Sequence, residues 1–464
     1  MSWLLNQIKN NPNANYVYLG KQVFTFSEIN DTVQIYAQEL LRNGIQSKNK
    51  VLICLPNDLD LLEIILACFE IGAIAVPISP QLTIKECNEY IDVVNPSIII
   101  SNWNFESRCK GNQIPKILVE EIMNTSRGCG IVQNGYKWNK NDVAVIIGTS
   151  GTTNTPKAVQ LTYSNFEVSC SNWNEFLLFD ESDQFLCCLP LYHVGGLAVI
   201  IRALIYGFSI NIINQFKPEN IIHAMEQHAI TIVSLVPTML KRILDIHAGL
   251  GNLKKLRWIL LGGGPSHVKL LDLCIYEKLN VVKVYGMSET CSGTIGLKLL
   301  EEPKNKLFAG RPFGKTKVWV ENNEIYLSGP MVMKGYVGGV EVNGVHNSHD
   351  LGMVNNDGLV FLDIRRKDLI ISGGENINPI EVEEALVNID GIIDAAVIGL
   401  EDEDWGQKVV AYVEFKSSPL VNELIINKLK YTLSTYKIPK EFISVSSIPR
   451  NEIGKIKYDK LRIS

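Results

Sequence analysis

Residues Thr149-Ser150-Gly151-Thr152-Thr153-Asn154-Thr155-Pro156-Lys157 combine small hydroxyl side chains, a glycine and a closing lysine. That is the composition of a loop that wraps polyphosphate. The run follows an apolar segment, Val143 to Ile147, which reads as a buried strand, so backbone N–H groups beyond it become free to face anionic oxygens. It is not a Walker A loop: Pro156 stands where the second glycine belongs, and Ala158 where a magnesium-binding hydroxyl belongs. The chemistry implied is consumption of ATP on some other nucleotide-binding fold. The competing reading is a polar strand-to-helix turn.

Four further segments follow in order: Tyr285-Gly286-Met287-Ser288-Glu289-Thr290, Asp350-Leu351-Gly352, Arg365 to Pro379, and Gly454-Lys455-Ile456. Together with the loop they resemble, almost end to end, the acyl-adenylate-forming (AMP-binding) superfamily of acyl-CoA synthetases, luciferases and peptide-synthetase adenylation domains. Joining an acid to a thiol is uphill, and such enzymes first make an acyl-AMP that later expels AMP. The first half-reaction gathers negative charge at the α-phosphorus and the departing pyrophosphate, which calls for cations and hydrogen-bond donors aimed there.

The resemblance implies ATP, Mg²⁺ and, as co-substrate, coenzyme A. It makes Lys455 the cation that bridges the carboxylate and α-phosphate oxygens, and Glu289 the magnesium-binding carboxylate. The loop Thr149 to Lys157 would close over the β- and γ-phosphates. Asp350 matches the residue that grips the ribose hydroxyls, and Arg365 the one that completes the ribose and phosphate contacts. Gly262-Gly263-Gly264-Pro265, after the apolar run Trp258 to Leu261, looks like the adenine wall together with Tyr285, although such a cluster is commonly just a tight turn. His193 falls where the family keeps a histidine beside the acyl carboxylate; a lone histidine in apolar surroundings is otherwise more often a core residue. Gly374, with Gly373 and Glu375, would line the pantetheine tunnel.

The acid itself is addressed by one residue. Arg202 interrupts the otherwise apolar, helix-like segment Leu197 to Gly207, which starts close to His193. A buried guanidinium needs an anion. If Arg202 faces the acyl pocket, the substrate carries a second carboxylate; if it snorkels to the surface or pairs with an internal Asp or Glu, it says nothing about substrate. Spacing alone leaves the two even. The blocks around His193, Gly262, Tyr285 and Gly373 look most like the o-succinylbenzoate–CoA ligases of menaquinone and phylloquinone synthesis, whose substrate is an aromatic keto-diacid. On that resemblance the benzoate carboxylate meets Arg202, with Ser292 among the candidate walls.

The elements that must position these residues are an α/β arrangement. Apolar strand-like runs alternate with amphipathic segments: Lys50 to Leu55 before Leu61 to Ile71, Ser97 to Ser101, Ile210 to Ile213 before Ile221 to His228, and Thr231 to Leu235 before Met239 to His247. Such alternation predicts largely parallel sheets flanked by helices. Near residue 364 the pattern changes to a hairpin around Asn356-Asp357-Gly358 followed by a charged cluster. We expect a large N-terminal domain of helix-flanked sheets over 1–364, and a small α+β domain over 365–464 with strands Ala395 to Ile398 and Val409 to Phe415 and a helix from Val421 to Ser434. The resemblance implies that the small domain is mobile, swinging about a hinge at Lys367.

At 464 residues the chain exceeds one hydrophobic core, and 46% apolar residues suffice for a sizeable interior. A formal charge of −5 offers no broad basic surface for nucleic acid or anionic membrane. The ten cysteines include no CxxC pair and read as reduced thiols. Leu61 to Val76, the most apolar early stretch, is broken by Glu63 and Glu70 and reads as core, not as a membrane span. A cytoplasmic protein, or one in the equivalent reducing compartment of an organelle, is expected; a homodimer would be unremarkable. A general medium-chain or aryl acyl-CoA synthetase shares every ATP-side motif and stays open, as do a module loading a carrier protein and a non-catalytic acyl- or nucleotide-binding protein.

Overall fold

The computed structural model describes residues 2–109, 113–125, 138–149, 156–264, 266–365, 369–372, 375–402, 405–433, 435–452 and 454–461. Among them four sheets form. The largest has a parallel centre in the spatial order Val281–Met287, Trp258–Leu261, Ile232–Leu235, Gln184–Cys187, Ser209–Ile212 and Asn15–Leu19. Antiparallel strands close both of its edges, Ser292–Lys298 with Arg311–Pro312 on one side and Gln22–Thr25 on the other.

The second sheet runs parallel through Val143–Thr149, Ile74–Ile78, Lys50–Cys54, Ile98–Ser101 and Lys116–Leu118. Lys157–Thr162 and Gly335–Tyr336 extend it antiparallel. Both parallel centres follow from the alternation of apolar runs with helices, because a parallel neighbour requires a crossover.

One core is shared by the two sheets and the helices Phe26–Arg42, Leu59–Ile71, Tyr163–Leu177 and Val194–Tyr206. The helix Leu59–Ile71 is buried on every side from Leu61 onward, which explains why its sequence is apolar all round. Glu63 is buried with it, and burial pushes its carboxyl up to about 8. Elsewhere local rules set the boundaries: Thr25 and Glu28 form a reciprocal cap at the start of Phe26–Arg42.

Three expectations are revised. A wholly antiparallel sheet, Lys317–Glu321, Glu324–Ser328, Val345–Val354 and Val360–Arg365, carries Asp350 and was not anticipated as a separate sheet. The segment Met239 to His247 is two helices, Pro237–Leu244 and His247–Leu253, because the backbone turns extended at Ile246. The helix expected over Val421 to Ser434 is limited to Asn422–Leu429, after which Leu433 N–H bonds back to the Leu429 carbonyl in a turn.

The fourth sheet pairs Ile392–Asp402 with Gly406–Phe415, flanked by Ile370–Ser372, Glu375–Ile377 and Glu441–Val445. With the helices Pro379–Val387 and Asn422–Leu429 it has a hydrophobic core of its own. No helix of the described residues is long and apolar enough to cross a membrane.

Candidate active site

The candidate residues gather where the parallel strands of the two large sheets end, the usual ligand-binding edge of an open α/β sheet. Strand Val143–Thr149 and strand Lys157–Thr162 pair as a hairpin, with Thr149 opposite Lys157 and its hydroxyl 3.5 Å from the Lys157 carbonyl. The segment Thr149 to Lys157 therefore joins two strands, not a strand and a helix. Its residues Ser150, Gly151, Thr152 and Thr153 lie outside the described residues, as do Pro265, Lys367, Gly373 and Gly374.

The Lys157 ammonium lies 5.2 Å from the ring centre of Tyr336, whose hydroxyl donates to Glu289 Oε1 at 2.8 Å. Glu289 sits in the short turn Ser288–Thr290 that follows strand Val281–Met287, and its carbonyl accepts from Met333 N–H at 2.8 Å. Thr290 fastens this turn, exchanging hydrogen bonds at 3.1 Å with Met287 N–H and the Met287 carbonyl. Gly286 and Met287 pair with Gly293 and Ser292 across the hairpin. Tyr285 donates to Asp350 Oδ2 at 2.6 Å, and Arg365 stands opposite Asp350 in the antiparallel ladder; the Arg365 side chain lies outside what is described.

Burial holds the His346 imidazole below its ordinary pKa against the pull of the Glu289 carboxylate, and His349, Lys157 and Asp350 lie in the same electrostatic neighbourhood. Lys157, Glu289 and Asp350 are thus brought together around His346. Among the described residues no three His, Cys, Asp or Glu side chains form a metal cage. A single carboxylate such as Glu289, working with phosphate oxygens, is how Mg²⁺ is commonly held.

On the acyl side, the helix Val194–Tyr206 begins directly after His193, which occupies its cap position without a capping hydrogen bond. Burial lowers the His193 pKa, opposed by the carboxylate of Glu452. Further along that helix Arg202 is only 2% exposed. Its Nη2 donates to Ser292 Oγ at 3.1 Å, its guanidinium lies 4.6 Å from the Trp173 ring centre, and its Nε has no hydrogen-bond partner among the described residues.

The titratable groups around Arg202 are the thiols of Cys170, Cys291 and Cys187 and the Tyr206 phenol, and burial lowers its pKa. Snorkelling is excluded by this burial, and no carboxylate among the described residues is paired with it. The Ser292 hydroxyl also accepts from Trp173 Nε1 at 3.1 Å and lies 3.4 Å from Ser169 Oγ. Cys291 and Ser292 both have positive φ, +54° and +99°, uncommon for residues with a Cβ and often a mark of a functional position. At Gly293 a Cβ would lie 2.2 Å from Val284 Cγ1 and 2.7 Å from Trp173 Cζ2, so the indole can stack on Arg202 only because this residue is glycine.

Lys455 sits at an exposed hairpin turn, its N–H bonded to Asn451 Oδ1 at 2.8 Å and its carbonyl to Asn451 N–H. Gly454 has φ +73°, and a Cβ there would lie 2.7 Å from Thr238 Oγ1 and from Val236 Cγ2. Val236 also flanks the glycine turn: a Cβ on Gly263 would meet its Cγ1 at 3.1 Å. Gly262 N–H bonds to the Leu235 carbonyl, and Gly264 follows in the same turn. The lysine turn and the Gly262–Gly264 turn therefore share one wall.

Sequence reasoning passed over Tyr336, His346, Trp173, Ser169 and Glu452. The partners of Tyr336, Trp173, Ser169 and Glu452 lie far away along the chain, and no local pattern marks them.

The AMP-binding enzyme family matches residues 4–337, and the AMP-binding enzyme C-terminal domain matches residues 381–455. The 2-succinylbenzoate–CoA ligase of Bacillus licheniformis is 31% identical over 480 aligned positions, covering 99% of this chain and 99% of the relative. That of Oceanobacillus iheyensis is 32% identical over 447 positions, 93% of this chain and 92% of the relative. The o-succinylbenzoate CoA synthetase of Bacillus subtilis, in complex with the acyl-adenylate intermediate OSB-AMP, is similar with a TM-score of 0.91 at 29% identity, over 99% of this chain and 97% of that one. A double mutant of the same synthetase bound to a product analogue, OSB-NCoA, gives a TM-score of 0.75 at 29% identity, over 100% and 98%. The chain belongs to the AMP-binding enzyme family.

Proposed function

We propose that this chain is an ATP-dependent acid–CoA ligase that makes an acyl-AMP and passes the acyl group to coenzyme A. Its acid is o-succinylbenzoate, which places it in menaquinone or phylloquinone synthesis. The observation that carries the choice of acid is Arg202, a buried guanidinium with a serine hydroxyl, an indole face and, among the described residues, no carboxylate around it. A second carboxylate on the substrate is the counter-ion such a site calls for. The relatives named as 2-succinylbenzoate–CoA ligases support the same reading.

In this reading the acid's succinyl carboxylate lies beside His193, whose pKa burial lowers, and attacks the α-phosphorus while pyrophosphate departs. Lys455 meets the charge that develops on the carboxylate and α-phosphate oxygens; Lys157 and the loop Thr149 to Lys157 meet the β- and γ-phosphates. Glu289, steadied by Tyr336, would hold Mg²⁺, which would neutralise phosphate charge. Asp350, with Arg365 opposite it in the ladder, takes the ribose, and Tyr285 with the Gly262–Gly264 turn flanks the adenine. In the second half-reaction the thiol of coenzyme A attacks the acyl carbon and AMP leaves, the pantetheine passing Gly374. Residues 365–464 act as the part that moves between the two, about Lys367, in a reducing cytoplasm.

The test is acid-dependent AMP release with ATP, Mg²⁺ and CoA across o-succinylbenzoate, benzoate, octanoate, acetate and several amino acids. A strong preference for o-succinylbenzoate is expected. Preference for a monoacid would keep the adenylation chemistry and discard the acid.

A further inference from the structure

The turn that carries Lys455 is tied at both ends. Arg450 and Ile456 form a bridge, Lys457 N–H bonds to the Pro449 carbonyl at 2.8 Å, and the Arg450 guanidinium holds the Gly454 carbonyl at 2.8 Å and Asp394 Oδ2 at 2.6 Å. It is therefore a stiff projection of the C-terminal sheet. At its tip, three residues before Lys455, the two oxygens of Glu452 are taken by different partners. Ser79 Oγ donates to Oε1 at 2.8 Å, and the Tyr192 hydroxyl donates to Oε2.

Those partners come from different sheets. Ser79 directly follows strand Ile74–Ile78, and Tyr192 lies in the loop after strand Gln184–Cys187, next to His193. The turn also abuts Val236 and Thr238, beyond strand Ile232–Leu235. Hydrogen bonds between the two parts of the chain include those from the lysines Lys241 and Lys269 to the carbonyls of Ile393 and Asn388 and from Asn378 to Asp363. Glu452 differs from these in spending both oxygens of a charged group on neutral hydroxyls, bonds that are stronger than neutral pairs.

We infer that Glu452 is a positioning residue: its carboxylate docks the Lys455 turn between Ser79 and Tyr192 for the adenylation step, and must let go before the CoA step. This rests on the two-step reading proposed above. Burial and the Glu452 carboxylate both push the Tyr192 phenol upward, so it stays a neutral donor. The three-residue spacing couples the latch to the lysine. A lysine held only by its own turn would sample many positions, whereas the latch fixes the turn against His193 and Val236.

The test separates the half-reactions in the full-length chain: acid-dependent exchange of pyrophosphate into ATP, and CoA transfer from preformed acyl-adenylate. Glu452→Ala should slow exchange by roughly ten- to a hundredfold, the scale of losing one or two hydrogen bonds to a charged group, and leave CoA transfer intact. Glu452→Gln should retain more exchange than Glu452→Ala, because its carbonyl still accepts one hydroxyl. Tyr192→Phe combined with Ser79→Ala should reproduce the Glu452→Ala loss and add little to it.

Equal loss of both half-reactions in Glu452→Ala, or no loss in either, would overturn the latch. A wild-type chain that exchanges pyrophosphate with a different acid sinks the proposed substrate and not the latch, which is then measured with that acid.

Discussion

A guanidinium presents five N–H donors and cannot shed its charge at ordinary pH. At Arg202 one of them meets Ser292 Oγ, the plane rests on Trp173, and Nε is unsatisfied among the described residues. A charge removed from water without an opposite charge is among the costliest features a fold can keep, so retention of this one points to a partner that arrives with the substrate. Lys455 is the converse case, an exposed cation whose value lies in where its turn is held. Lys455→Ala should abolish acid-dependent pyrophosphate exchange while leaving the fold and the reaction of preformed acyl-AMP with CoA largely intact. Parallel loss of both half-reactions would refute its role.

The sequence singles out Arg202 as a lone charge inside Leu197 to Gly207 but leaves open whether it is buried or snorkels to the surface; the fold buries it. Its surroundings are not legible there either: Trp173 and Ser169 reach Ser292 over more than a hundred residues of chain, and only the fold brings them together.

At the scale of elements, periodicity identified the parallel centres of the two large sheets because crossover helices leave a strong alternating signal. The antiparallel sheet bearing Asp350 was seen only as one hairpin, since Val345–Val354 is long but mostly half-exposed and carries little apolar pattern. The segment Thr149 to Lys157, expected to wrap phosphates, joins two strands.

The helix Pro379–Val387 poses its own electrostatic problem. Glu383 is buried beneath strand Ile392–Asp402, accepts from Val397 N–H at 2.8 Å and from the Tyr458 hydroxyl at 3.3 Å, and burial pushes its carboxyl from an ordinary 4.5 up to about 8. A raised value in the folded state means that the group's contribution is fully present below the unfolded pKa and is lost as pH rises through the folded one. The slope between is on the order of 1.4 kcal/mol per pH unit. Glu383→Gln keeps the accepting oxygen and removes the titration. It should gain on the wild type in melting temperature as pH is raised from 5 to 8; a difference independent of pH would show that Glu383 does not fold protonated.

For the whole molecule, five ordered motifs were enough to expect an adenylate-forming enzyme, because each carries the cations, acceptors or glycines that binding one nucleotide would need. The order of motifs along the chain does not reveal how the Lys455 turn is held, which depends on Glu452 meeting hydroxyls from both large sheets. The two parts of the chain are thus joined beside His193. In the proposed reaction the acid would enter there as a dianion, with one carboxylate to activate and one to anchor.

The central claim is that Arg202 anchors the second carboxylate. The most direct measurement compares kcat/KM for o-succinylbenzoate and for 4-oxo-4-phenylbutanoate, which lacks the benzoate carboxylate, in the wild type and in Arg202→Ala. The wild type should favour the diacid strongly, and the substitution should remove that preference, a coupling on the order of 2–5 kcal/mol as for other desolvated charge pairs. A diacid preference that survives the substitution would make Arg202 structural and leave the acid unassigned.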